Sequence, residues 1–212
     1  MEAVAFSVVP AFPDPFHSSI EKFQSLTKHL SSPETRAMTH SELEKLLTEE
    51  GRELMRRLYQ DHLTVRGSGD VGESITGSDQ TERTHKRDRE RGLTSVFGDV
   101  RVRRTGYSSH ESPSLFPKDA VLNLPEDSFS HGIRKLVAID AARGSFDETT
   151  ASVKRATGVE VCKRQVEELA RKAAADFYSF YEQGCPPETL TAVKSLPLQI
   201  LSMDGKGIVM RH

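Results

Sequence analysis

The chain has 212 residues, 28% of them charged and 36% hydrophobic, and contains no Trp. That length suits one ordinary domain or two small ones. No run of 18 apolar residues offers a membrane span, and the start, Met1 to Phe16, lacks a basic region and is broken by Pro10, Pro13 and Pro15, so it does not read as a signal peptide. Two cysteines, Cys162 and Cys185, are too few for a disulfide framework or a zinc site, which points to a reducing cytoplasm. The net charge of -2 conceals a segregated pattern: residues 1–82 carry -6, residues 83–104 carry +5 and residues 105–212 carry -1. Local patches bind phosphates; whole-chain averages do not.

Residues 17–30 predict a short helix with Ile20, Phe23, Leu26 and Leu30 on one stripe, ended by Ser31, Ser32 and Pro33. Thr39 and Glu42 form a capping box for a longer helix that carries Leu43, Leu46, Leu47, Leu54 and Leu58 and runs to about Val65. Propensity alone leaves such a helix marginal, so it needs a packing partner. Residues 67–92 are polar and nearly empty of large apolar side chains, which predicts a flexible linker ending in the basic cluster Arg83, His85, Lys86, Arg87, Arg89 and Arg91. Period-two alternation then predicts a β-hairpin with Gly98-Asp99 at its turn, Val100 and Val102 on one face and Arg101 and Arg103 on the other, followed by Arg104.

Residues 108–127 predict loop. Three helices follow. The first spans about Ser130 to Arg143, the second opens on the capping box Ser145/Glu148, and the third starts near Val161 and carries Val166, Leu169, Ala173 and Phe177 on one stripe. Leu196 to Met203 is an apolar run suited to a buried strand, and Asp204-Gly205-Lys206-Gly207 a turn into a second.

Several motifs bear on chemistry. Gly67-Ser-Gly69-Asp-Val-Gly72 matches the dinucleotide glycine pattern, but it follows a helix and precedes none, so the context that the fingerprint requires is missing. The eight His residues show no metal-ligand spacing, and Cys162 at a helix start has no evident base beside it. Residues 145–183 have the form of a helix-turn-helix, whose second helix would present Lys163, Arg164 and Gln165 to base edges in the major groove. The plainer reading is that these helices merely build a core. The basic residues Arg83, Lys86, Arg87, Arg89 and Arg91, together with Arg101, Arg103 and Arg104, are candidates for phosphate contacts against the alternative of a solvated charge run. Asp204, at the end of an apolar strand, is placed to hold a divalent metal, although Asp-Gly is also an ordinary turn.

Five stretches together carry a resemblance: Gly51-Arg-Glu-Leu-Met-Arg-Arg-Leu-Tyr-Gln-Asp-His-Leu63, Val96-Phe-Gly-Asp-Val-Arg-Val-Arg-Arg-Thr-Gly-Tyr107, Ala141-Ala-Arg-Gly-Ser-Phe-Asp-Glu148, Lys163-Arg-Gln-Val-Glu-Glu-Leu169 and Leu201-Ser-Met-Asp-Gly-Lys-Gly-Ile-Val-Met210. In this order they resemble the ISKra-type insertion-sequence transposases. The resemblance implies a bacterial DDE-type transposase: an N-terminal region that binds the element's terminal inverted repeats, and an RNase H-like nuclease that uses two Mg²⁺ ions. Asp204 matches the first acidic residue of that triad, both catalytic and metal-binding. The second Asp and the Glu would fall beyond His212, so the chain is expected not to cleave DNA alone.

The combined expectation is an α+β, mostly helical chain. It has an N-terminal helical arm (1–66), a flexible basic-ended linker (67–92), a β-hairpin and loop (93–127) and a helix-turn-helix-like three-helix unit (128–187), then the first hairpin of a truncated RNase H-like domain (197–212). The expected function is the DNA-binding part of a cytoplasmic transposase, paired with itself or with full-length transposase and with no membrane partner. The alternatives are a non-enzymatic repressor of transposition and a decayed gene product.

Overall fold

A computed structural model describes residues 15–110, 112–176 and Ser179. The architecture is that of the unit ending at Ala173; it is α+β, with about half of the described residues in helices. The third helix of the expected three-helix unit is described to Ala173, while the expected hairpin at 197–212 lies outside the described residues.

The arm is built from α1 (His17–Leu30), α2 (Pro33–Arg36) and α3 (His40–Val65). Thr39 Oγ1 accepts the Glu42 N–H and Glu42 Oε2 accepts the Thr39 N–H, so two otherwise orphaned donors at the start of α3 are satisfied reciprocally. The partner that α3 needs is first α1. Lys22 pairs with Glu50, the Ser19 N–H donates to buried Asp61 at 3.0 Å, and Arg57 donates to the Ser18 carbonyl. Leu26 is buried, whereas Ile20 and Phe23 of the same predicted stripe stay exposed.

The loop after α3 leads through a two-residue antiparallel pair, β1 (Ile75–Thr76) with β2 (Glu82–Arg83), into the main hairpin of β3 (His85–Ser95) and β4 (Gly98–Ser108). This hairpin differs from expectation in two ways. It begins at His85, so the basic cluster lies in strand rather than in linker. Its turn is Val96-Phe97, closed by the Ser95–Gly98 pair, and not Gly98-Asp99. The reason is tertiary. Val96 packs against the core of the three-helix unit, Gly98 takes the positive φ of 122°, and Ser95 Oγ donates to the Gly98 carbonyl while accepting the Phe97 N–H. The predicted alternation holds, with Val100 and Val102 buried and Arg101 and Arg103 exposed.

An isolated hairpin is marginal in water. Here Leu93, Val100 and Val102 pack with Leu63 of α3, flanked by Tyr59, Leu122 and Leu124. The predicted loop 108–127 contains a short helix, α4 (Pro117–Val121), whose Lys118 reaches under the hairpin.

The three-helix unit comprises α5 (His131–Ala141), α6 (Phe146–Thr157) and α7 (Lys163–Ala173). Ile133, Val137, Val153, Val161, Val166 and Leu169 form its buried core, joined by Val96 from the hairpin turn. Ser145 and Glu148 form the predicted capping box at the start of α6, and Gly158 ends that helix at φ 73°, in the left-handed region where a Cβ is penalised. Thr94 bonds both ways across to Ser128 and Ser130, so β3 and the start of α5 are tied through backbone.

Candidate nucleic-acid interface

The basic residues separate into three environments. Arg83, Arg91 and Arg104 are turned onto internal partners. The Arg83 side chain is 2% exposed; its guanidinium holds Asp79 at 2.7 and 3.1 Å and donates to the Thr81 and Pro113 carbonyls. Arg91 bonds Asp119 and the carbonyls of Pro125 and Asp127, which anchors the hairpin to the segment entering α5. Arg104 shares Asp119 and stacks over Phe116, with its guanidinium carbon 3.8 Å from the ring centroid. These three were candidates for phosphate contacts. Their partners give them a structural role: Arg83 and Arg91 direct several donors to carboxylate and carbonyl oxygens, and Arg104 is held by Asp119 and the Phe116 ring.

Lys86, Arg101 and Arg103 are exposed but paired. Lys86 binds Asp70, Arg101 binds Glu90 at 3.2 Å, and Arg103 binds Asp88 at 2.7 Å. They project from one face of the hairpin, where Asp88 and Glu90 of β3 lie beside the arginines of β4. The Arg103 guanidinium holds the Asp88 carboxyl below its usual range. Surface pairs of this kind contribute about 0–1 kcal/mol, so they exchange readily with other anions.

Arg87 and Arg89 are different. Both project from the opposite face, both are exposed, and neither has an ion-pair partner among the described residues. They line a groove of about 320 Å³ with His85, Lys86, Gly106, Ser108, Ser114 and Phe116, and among the described residues no carboxylate contributes to its wall.

In the helix-turn-helix-like unit the turn runs from Gly158 to Cys162, and α7 begins with Lys163, Arg164 and Gln165, all exposed. Lys163 pairs with Asp147 of α6 at 2.6 Å. Arg164 has no partner among the described residues. Gln165 is the third residue of α7, and its Oε1 accepts the Cys162 N–H at 3.3 Å and the Cys162 thiol at the same distance. Its carbonyl therefore caps α7, which leaves its amide NH₂ as the group free to face outward. Farther along, Arg171 pairs with Glu167, and Lys172 with Asp127 and Glu168, so among the described residues Arg164 is the cation of α7 left without an ion-pair partner.

Asp204 lies outside the described residues. Among the described residues no cluster of three or more His, Cys, Asp or Glu could hold a metal ion. Nor is any helix among them long and apolar enough to cross a membrane. The glycine motif 67–72 is a structural strap: Gly67, Gly69 and Gly72 take positive φ, the Val71 N–H donates to the buried Tyr107 hydroxyl, and that hydroxyl donates to Asp70 at 2.8 Å. No protein-family model matches the chain, and no curated protein matches it.

Proposed function

We propose that the chain is the DNA-binding part of a DDE-type transposase of the ISKra type, acting in the bacterial cytoplasm on the terminal inverted repeats of its element. The observation that carries this reading is the α6–turn–α7 unit. A packed pair of helices leaves Lys163 and Arg164 exposed on the first turn of the second helix, the position from which such a helix addresses base edges. An arginine there can bond guanine O6 and N7 bidentately. The five stretches that resemble the transposases include the start of α7 (Lys163 to Leu169) and the turn and second strand of the hairpin (Val96 to Tyr107). In the whole enzyme, Mg²⁺ would activate water for strand cleavage; on this reading Asp204 contributes one of its carboxylate ligands. The described residues take part in holding DNA, alone or beside a second transposase chain, and in no chemical step.

The test is a mobility-shift titration on terminal-repeat duplex against a scrambled duplex. Wild-type protein should prefer the repeat, and Arg164→Ala should reduce that preference by roughly 1–3 kcal/mol, the value of one bidentate contact. Gln165 is left intact because its side chain caps α7. Equal affinity of wild-type protein for the two duplexes would sink the reading.

A further inference from the structure

The hairpin has two faces with opposite electrostatic character. On one, each basic side chain of β3 and β4 has a carboxylate: Lys86 has Asp70, Arg101 has Glu90 and Arg103 has Asp88. On the other, the row Arg87, Arg89, Arg91 is divided. Arg91 turns inward to Asp119, while Arg87 and Arg89 stay exposed beside a groove whose described lining holds no carboxylate. Arg104 lies opposite Arg89 across the strands, and Asp119 is shared between Arg91 and Arg104. The charge of Arg87 and Arg89 is therefore not compensated by anything described in the chain.

We infer that this groove holds the sugar-phosphate backbone of DNA, with Arg87 and Arg89 each taking a phosphate. Two residues apart on one strand face, their Cα atoms are separated by about 6–7 Å, which is the scale of successive phosphates along one nucleic-acid strand. Ser108 of β4 and Ser114 of the following loop add hydroxyl donors to the groove wall. Gly106 forms part of the same surface, and Phe116 packs so closely on it that a Cβ at that position would approach Phe116 Cε1 to 2.6 Å. The groove thus has a fixed wall, held from below by the Arg104–Phe116 contact. Backbone contacts of this kind are blind to sequence and set register and salt dependence, whereas discrimination between sequences falls to α7. The inference rests on the reading of the chain as a DNA-binding protein and assigns the phosphate contacts to two of the eight basic residues in 83–104.

The experiment is a salt titration of the full 212-residue chain on a labelled duplex of unrelated sequence, followed by fluorescence anisotropy. Four variants are compared with wild type: Arg87→Ala/Arg89→Ala, each single substitution, and Arg101→Ala/Arg103→Ala, which removes the same charge from the opposite face. The first should lower the slope of log affinity against log salt by about 2 and weaken binding roughly ten- to hundredfold near ~0.1 M salt. Each single variant should show about half of that slope change, which guards against misfolding of the double variant. The opposite-face variant should lose less. An unchanged slope in the Arg87/Arg89 variants, or an equal loss in the opposite-face variant, overturns the inference and leaves the α7 reading intact. No binding of any duplex by wild-type protein overturns both.

Discussion

Gln60 and Arg101 meet as two residues of neighbouring strands would. Gln60 Nε2 donates to the Arg101 carbonyl at 3.0 Å, and the Arg101 N–H donates to Gln60 Oε1 at 2.8 Å. A primary amide has the donor and acceptor of a peptide group, so a single side chain of α3 takes the place of a missing strand at the outer edge of β4. Farther along that edge the Thr105 N–H donates to the Ser68 carbonyl, and Tyr107 pairs both ways with Leu115. Unpaired strand edges invite pairing with other chains; this one is covered by a helix side chain and two loops.

Gln60→Leu should therefore lower stability by about 1–2 kcal/mol, the net contribution of two hydrogen bonds, read as a shift of the urea midpoint at constant m-value. Gln60→Glu keeps the acceptor for the Arg101 N–H and loses the donor. At neutral pH it should also be less stable than wild type, and the deficit should shrink in acid as the carboxyl regains a proton to donate.

Lys118 should be more sensitive still. Its side chain is buried, and its Nζ donates to three carbonyls: Leu63 at 3.1 Å, Arg103 at 3.0 Å, and Gly67. One ammonium thus ties the end of α3, the loop after it and β4 together, although burial pushes its pKa down. Lys118→Met fills similar space without a donor and strands those carbonyls. It should cost about 2–3 kcal/mol in chemical denaturation; a loss under about 0.5 kcal/mol would show that water replaces the ammonium there.

Much of this organisation was legible in the sequence where local chemistry decides it. The Thr39/Glu42 and Ser145/Glu148 boxes marked two helix starts, and the alternation Val100-Arg101-Val102-Arg103 gave the faces of β4. The strand His85–Gly92 was not legible, because none of its side chains is apolar. It is fixed by cross-strand partners, Asp88 with Arg103 and Thr105 and Glu90 with Arg101, that lie 11 to 17 residues away. The turn was misplaced for a similar reason: Gly98-Asp99 is the better local signal, but burying Val96 against α5–α7 selects the neighbouring pair. At the candidate interface, residue type identified the cations, while only the fold separates Arg83, Arg91 and Arg104, turned inward, from Arg87 and Arg89.

Gly158 offers a check on the α6–α7 turn. Its φ of 73° lies where a Cβ is strained, and a Cβ would approach Arg52 Nη1 to 2.9 Å. Arg52 of α3 donates to the carbonyls of Arg155 and Ala156, the unsatisfied end of α6, so the arm itself helps close this helix. Gly158→Ala should destabilise by about 1–2 kcal/mol through the left-handed backbone alone. Arg52→Ala should weaken the same helix end, and hydrogen exchange of the amides near the α6 C-terminus should quicken in both variants.

Asp70 links the strap to the hairpin and predicts an acid response. Hydrogen bonding from Lys86, then from the Gly72 N–H and the Tyr107 hydroxyl, pulls its carboxyl down to about 2. A carboxylate whose pKa is lower in the folded state than in the unfolded chain stabilises the fold above the unfolded value, near ~4, and loses that contribution as pH falls toward the folded value. The Asp70-dependent part of stability should thus be fully present at neutral pH and decline between about pH 4 and pH 2. Asp70→Asn should be less stable than wild type at pH 7, and the difference between the two proteins should narrow across that window. Urea denaturation of both at a series of pH values measures it. A difference that is constant from pH 7 to pH 2 would mean that the Asp70 charge contributes nothing and that only its hydrogen-bonding shape matters.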